Sequence, residues 1–186
     1  GVFNPQITIA YAEGDKEKLV DIIKSCNRIL IFIMSIPIAF LTAYGRDFYA
    51  LWQPTKDPDM LQRLSLLAGG VLYVSMSIQV LYHVFIITKK VKWNSLVVLG
   101  SGICSSLLSL ILLSKTDLGV ACFPLSSMLT GVLRNMIFTP IYAARCLEIR
   151  WNRFYSDIFL GFASIGTITV LGLLSRMIVP IHSWII

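Results

Sequence analysis

Long runs of apolar residues alternate along the chain with short polar stretches. A helix that crosses a bilayer needs about 20 consecutive, mostly apolar residues at a rise of ~1.5 Å each. Five runs reach that length, at about 25–44, 64–88, 93–114, 118–144 and 158–175. The first holds Arg28 as its one charge and Pro37 in its interior, the second holds no charge, and the fourth is interrupted only by Arg134. After Arg176 come ten uncharged residues, MIVPIHSWII, too few to cross. Residues 176–186 therefore read as a sixth span cut short or as a re-entrant tail.

Residues 1–24 follow another pattern. Asp15, just after Gly14, is placed to cap a helix, and Leu19, Ile22 and Ile23 fall on one face of it with Lys16, Lys18 and Asp21 elsewhere. This predicts a short amphipathic helix on the inner membrane surface that runs into the first span. The expected organisation is thus a surface segment over 1–24, a transmembrane bundle over 25–175, and the remnant after it. The fold class is all-α, a polytopic bundle of about five complete spans.

Composition agrees with the pattern. Of the 186 residues 56% are apolar and 14% charged, with a mean hydropathy of +0.75. A soluble domain carries about a quarter charged residues, so this chain cannot cover a water-facing surface. Disorder, collagen-like repetition and coiled coil are excluded by the same figures. The chain opens on Gly1 without a charged n-region, a short apolar core and a cleavage site; the expectation is an internal part of a longer protein.

Charge placement predicts orientation, because Lys and Arg accumulate in short cytoplasmic loops. With the N-terminus inside, segments 1–28, 89–94 and 145–157 carry four, three and three basic residues, while the outer segments 45–63, 115–117 and 176 onward carry three, one and one. Arg134 completes the sixteen. The net charge of +6 then reflects anchoring to anionic lipid rather than nucleic-acid binding, since the basic residues are spread over loops. Trp52, Trp93 and Trp151 fall in or beside loops, where an amphipathic ring suits the headgroup layer; Trp184 carries no assignment.

No enzyme is predicted. G-x-S-x-G, H-E-x-x-H and a Walker A lysine are absent, and His83 and His182 are far apart with no acidic neighbour. No cofactor or metal is expected. All ten carboxylates fall in loops or the N-terminal segment, so no buried acid is expected inside these helices. Cys26, Cys104, Cys122 and Cys146 form no C-x-x-C pair and are expected as free thiols that pack as small hydrophobes.

Arg134 is the anomaly. It lies near the middle of the fourth run, where insertion of an arginine costs about 2.5–3.5 kcal/mol and the side chain must face protein or a wet cavity. Asn135 follows it, and Pro140 can kink the helix. Two readings stand. In one, the planar, permanently charged fork binds phosphate or pyrophosphate in a central cavity; in the other it pairs with a carboxylate on an absent helix or with helix carbonyls. Arg28 either snorkels to headgroups or lines a cavity mouth, and His83 reads as a neutral interfacial histidine. Ser101, Ser105 and Ser109, four apart on the third run beside Gly102 and Ser106, serve close helix packing or a hydroxyl-lined wall. Gly161, Gly166, Thr167, Thr169 and Gly172 make the same case on the fifth. The cavity candidates are Arg134, Asn135, Arg28 and Ser105.

A resemblance covers roughly residues 1–157. Pro5, Ile7, Tyr11, Ala12, Gly14, Asp15 and Lys18, then Arg28 and Pro37, then FYALWQP from Phe48 to Pro54, and Pro140, Tyr142 and Arg145 resemble, in that order, elements of polysaccharide and lipid-linked oligosaccharide flippases. These belong to the multidrug/oligosaccharidyl-lipid/polysaccharide exporter superfamily. Where that family commonly opens the fourth helix with Gly-Ala, Gly119 is followed here by Val120 and Ala121. The resemblance implies two six-helix lobes around a cavity that opens alternately to either side. This chain would be most of the second lobe, with the N-terminal lobe of the same chain and a lipid-linked oligosaccharide as partners, besides membrane lipid, in the bacterial cytoplasmic (inner) membrane. The alternatives are a multidrug or cation antiporter of the same superfamily, which should need a buried carboxylate, and a non-transporting membrane scaffold.

Overall fold

A computed structural model describes residues 4–178. Every regular element among them is helical: α1 (Asn4–Ala12), α2 (Lys16–Trp52), α3 (Pro58–Gly69), α4 (Leu72–Ser75), α5 (Leu81–Ile87), α6 (Val91–Lys115), α7 (Cys122–Leu133), α8 (Thr139–Cys146) and α9 (Tyr155–Ile178), with a 3-10 turn before α7 and a π-helical turn between α7 and α8. The protein is an all-α bundle. Among the described residues four helical stretches are long and apolar enough to cross a membrane: Lys16–Trp52, Val91–Lys115, Gly119–Cys146 and Tyr155–Met177. His182, Trp184 and all of the expected tail beyond residue 178 lie outside the described residues.

Gly14, at φ 77°, turns the chain between α1 and α2. Asp15 then takes an extended conformation and its carboxylate accepts the Lys18 N–H at 3.0 Å, satisfying one of the free donors of the helix start. From there α2 runs 37 residues without a break, past Pro37, so the surface helix and the first span are one rod. At ~1.5 Å per residue it is longer than the ~30 Å hydrocarbon layer and emerges from it.

Hydrogen bonds fix the register of its neighbours. Asn27 meets Asp157, Tyr44 meets Gly172, and Asp47 meets Arg176, at offsets of 130, 128 and 129 residues, so α9 lies parallel to α2. On α6 and α7 the numbers run oppositely: Ser101 meets Arg134, Ser105 meets Ser127 at 3.2 Å, and Ser109 meets Ser126, an antiparallel pair. The serine stripe is thus the seam between α6 and α7. It replaces apolar packing, because lipid is as apolar as Leu and gives helices no hydrophobic reason to associate. Ser109 is the one buried residue of α6, while Leu99, Leu107 and Leu110 face outward.

The uncharged 64–88 run does not form one helix. It returns along α2 from Gln62, whose amide donates to the Thr42 carbonyl at 3.2 Å, to Val80, whose N–H donates to Asn27 Oδ1 at 3.3 Å. Between them the chain is interrupted after Gly69 and Gly70 and again over residues 76–80. There the bonds tighten to three-residue spacing, Ser77 to Val74, Ile78 to Ser75 and Leu81 to Ile78, while the Val80 N–H leaves its own helix for Asn27.

The apolar core gathers at the end of the bundle where α2 starts, where Ile7, Leu19, Ile23, Phe85 and Phe154 are enclosed by α1, α2, α5 and the α8–α9 connection. α5 and α8 end alike. Lys89 (φ 56°) and Glu148 (φ 55°) hold left-handed conformations, and the next N–H reaches back to Phe85 or Ala144, both at 3.0 Å. This is the bond pattern usually served by glycine. Trp52 and Trp93 are exposed at helix ends and Trp151 in the α8–α9 connection.

Candidate functional site

Arg134 opens the π-helical turn Arg134–Phe138, in which the Thr139 N–H reaches the Arg134 carbonyl five residues back. Its half-buried guanidinium donates from Nε to Asn135 Oδ1 at 3.1 Å and from a terminal nitrogen to Ser101 Oγ at 3.2 Å. Among the described residues it makes no ion pair. A guanidinium carries five N–H donors, so two are engaged and the rest remain for another acceptor.

Asn135, 1% exposed, is the hub. Its Oδ1 also accepts the Tyr82 hydroxyl at 2.9 Å, and its Nδ2 donates to Ser75 Oγ at 2.7 Å. Ser75 precedes the 76–80 interruption and Tyr82 follows it, so the broken pass clasps Asn135 from both sides. Pro140 has no N–H for the Met136 carbonyl four residues back; the Tyr155 hydroxyl supplies the donor at 2.9 Å. Three residues before Arg134, Gly131 admits Val71, whose methyl a Cβ there would strike at 2.5 Å.

Of the four cavity candidates, the structure brings Arg134 and Asn135 together. Ser105 lies a turn from Ser101 on α6 but bonds Ser127, and Arg28 is exposed on α2 away from this cluster. Ser75 and Tyr82 join them, although nothing but their polarity marks these two in an uncharged run. Ser101 was legible only as part of the serine stripe.

The expectation that no acid is buried in these helices fails. Asp157 is 1% exposed, not outside the helices, because α9 begins at Tyr155 and its first turn packs on α2. Asn27, fully enclosed, donates to Asp157 Oδ2 at 3.4 Å. The antiporter alternative therefore loses the objection that these helices bury no acid. Of the cysteines, Cys26, Cys122 and Cys146 are buried free thiols, whereas Cys104 is an exposed one on α6. His83 Nε2 lies 3.5 Å from Thr8 Oγ1.

The end of the bundle where α2 starts carries ion pairs instead. Lys16 meets Glu148 at 2.7 Å and Arg153 meets Glu17, both joining the start of α2 to the α8–α9 connection, where clefts open beside Lys16, Glu148 and Arg153. The Lys16 ammonium, bonded to Glu148, holds that carboxyl below the usual carboxylate range.

The chain is 25% identical over 183 residues to an uncharacterized membrane protein, EpsK, of Bacillus subtilis (strain 168). The match covers 98% of this chain and 36% of that protein, so the chain spans about a third of the length of the curated relative it matches. No family profile matches the chain, and no solved structure does. With four apolar helices of spanning length and a membrane protein as relative, the chain is an integral membrane protein.

Proposed function

We propose that this chain is part of a transporter that moves a polyprenyl-pyrophosphate-linked oligosaccharide across the bacterial cytoplasmic membrane, with residue 1 on the cytoplasmic side. A charged headgroup cannot cross hydrocarbon unaided, so the carrier must present a cation within the membrane. The observation that carries the reading is Arg134: an intramembrane guanidinium, oriented by Asn135 and Ser101, with no carboxylate neutralising it among the described residues. Its permanent charge and planar fork suit phosphate oxygens. Alternating access would come from rocking of this lobe against a second one, the lipid tail staying in the bilayer. The order of flippase-like elements along residues 1–157 and the likeness to a longer membrane protein support the same reading.

The test is Arg134→Ala and Arg134→Lys in the full-length protein, with surface polysaccharide and membrane abundance measured together. Loss of polysaccharide at normal abundance, deeper for Ala than for Lys, is the expected result. Normal polysaccharide at normal abundance would overturn the headgroup role, and reduced abundance in both variants would assign Arg134 to structure, as a scaffold requires.

A further inference from the structure

The last part of α2 carries an aromatic side chain at every fourth position: Phe40, Tyr44, Phe48 and Trp52. Residues four apart share one face of a helix, so the four rings form a line about 18 Å long at ~1.5 Å per residue. Neighbouring rings touch along it. Phe40 stacks on Tyr44 with centroids 5.7 Å apart, Phe40 meets Phe48 edge to face at 6.3 Å, and Phe48 lies 5.8 Å from Trp52. Yet the line is not core, since Phe40, Phe48 and Trp52 are 47%, 38% and 64% exposed. On one side α9 holds it in place. The Tyr44 hydroxyl donates to the Gly172 carbonyl at 3.0 Å, and a Cβ at Gly172 would press on Ala43 at 3.1 Å, so glycine lets the two helices close there. Hydrogen-bonding groups stand beside the rings. Ser175 Oγ meets the Tyr44 hydroxyl, and Arg176 pairs with Asp47 at 3.0 Å and donates to the Ala43 carbonyl at 3.5 Å, both charged side chains remaining partly exposed.

We propose that this line of rings is a stacking platform for a saccharide, with Asp47 and Arg176 as hydrogen-bonding partners of its hydroxyls. A pyranose presents a face of C–H groups and a rim of hydroxyls. Its C–H face gains by leaving water for the electron-rich face of an aromatic ring, while its rim needs a carboxylate or a guanidinium at the side. Both kinds of group are present here, and the spacing of the rings is comparable with the length of a pyranose unit. Two other roles do not account for the line. An interfacial belt keeps Trp and Tyr at one depth, whereas these rings follow the helix axis and two of the four are Phe, which has no polar tip. A lipid chain is as apolar as leucine and gains nothing from rings in its place, and it offers the adjoining ion pair no hydrogen bond. That the ligand is a saccharide rests on the transport reading above: with residue 1 on the cytoplasmic side, α2 ends on the opposite side, where the sugar emerges.

The experiment uses the full-length protein in nanodiscs. Its probe is the oligosaccharide cut from the surface polysaccharide of the cell that produces the protein, free of lipid and pyrophosphate. Equilibrium dialysis reads binding, and thermal unfolding is followed in parallel. Wild type should bind the probe, and the double variant Phe48→Leu, Trp52→Leu should bind it about tenfold more weakly at an unchanged unfolding midpoint, because leucine keeps an apolar surface without a ring face. Phe48→Tyr with Trp52→Phe, which keeps both rings, should retain most of the affinity. If the double leucine variant does not accumulate, Trp52→Leu alone, at an exposed helix end, decides through a loss of about threefold. Wild type that does not bind the probe, or leucine variants that bind it as wild type does, overturn the platform. Because the probe carries no pyrophosphate, Arg134→Ala should bind it like wild type, so the headgroup role and the platform fail separately.

Discussion

The Tyr155 hydroxyl donates to the Met136 carbonyl at 2.9 Å, four residues before Pro140. A proline inside a helix leaves one carbonyl without its amide, and in hydrocarbon no water can take over. Here a phenol at the start of α9 does so, which ties the middle of the π-helical turn to the helix that carries Asp157.

Tyr155→Phe keeps the ring against Trp151 but strands that carbonyl. A buried acceptor left unpaired costs about 1–3 kcal/mol, so the full-length protein should lose stability of that order in denaturant titration in micelles. An unchanged transition would mean that the Met136 carbonyl finds another donor.

Lys89 holds φ 56° at the end of α5, a conformation that costs a residue with a Cβ about 1–2 kcal/mol. Lys89→Gly should therefore raise the unfolding midpoint, by about 1 kcal/mol of stability, without touching the Arg134 cluster. Glu148 has the same backbone but also holds Lys16, so glycine there should gain less.

The Glu148 carboxyl is held below its ordinary value by Lys16. A carboxylate whose folded value is depressed stabilises the fold above its unfolded value and loses that contribution as pH falls through the folded one. The wild-type midpoint should accordingly fall on acidification below the ordinary glutamate range, and Glu148→Gln should flatten part of that slope. Because the pair is exposed, high salt should shrink the difference between the two proteins; equal slopes at low salt would show that the pair contributes nothing.

Part of this architecture is legible residue by residue. Asp15 caps α2 because a cap depends on a side chain three residues from its amide. The long apolar runs of α2, α6, α7–α8 and α9 follow from hydropathy summed over neighbours, and Arg134 stands out because the cost of burying a charge in hydrocarbon needs no partner to be named. Trp52 and Trp93 mark helix ends, and Trp151 a connection, for the same local reason.

Other features depend on residues far apart in the chain. Residues 64–88 are apolar and uncharged enough for one continuous span, yet they break where Asn27 takes the Val80 N–H, an exchange between groups 53 residues apart. Asp157 reads as a loop residue until α9 lies parallel to α2 and encloses it. Ser75 and Tyr82 are unremarkable letters until both reach Asn135. Sequence determines how each stretch partitions between water and lipid, because that free energy is nearly additive along the chain. Which buried polar groups find partners is decided only by packing, because hydrogen bonds are short-ranged and directional and join whatever the helices bring within about 3 Å.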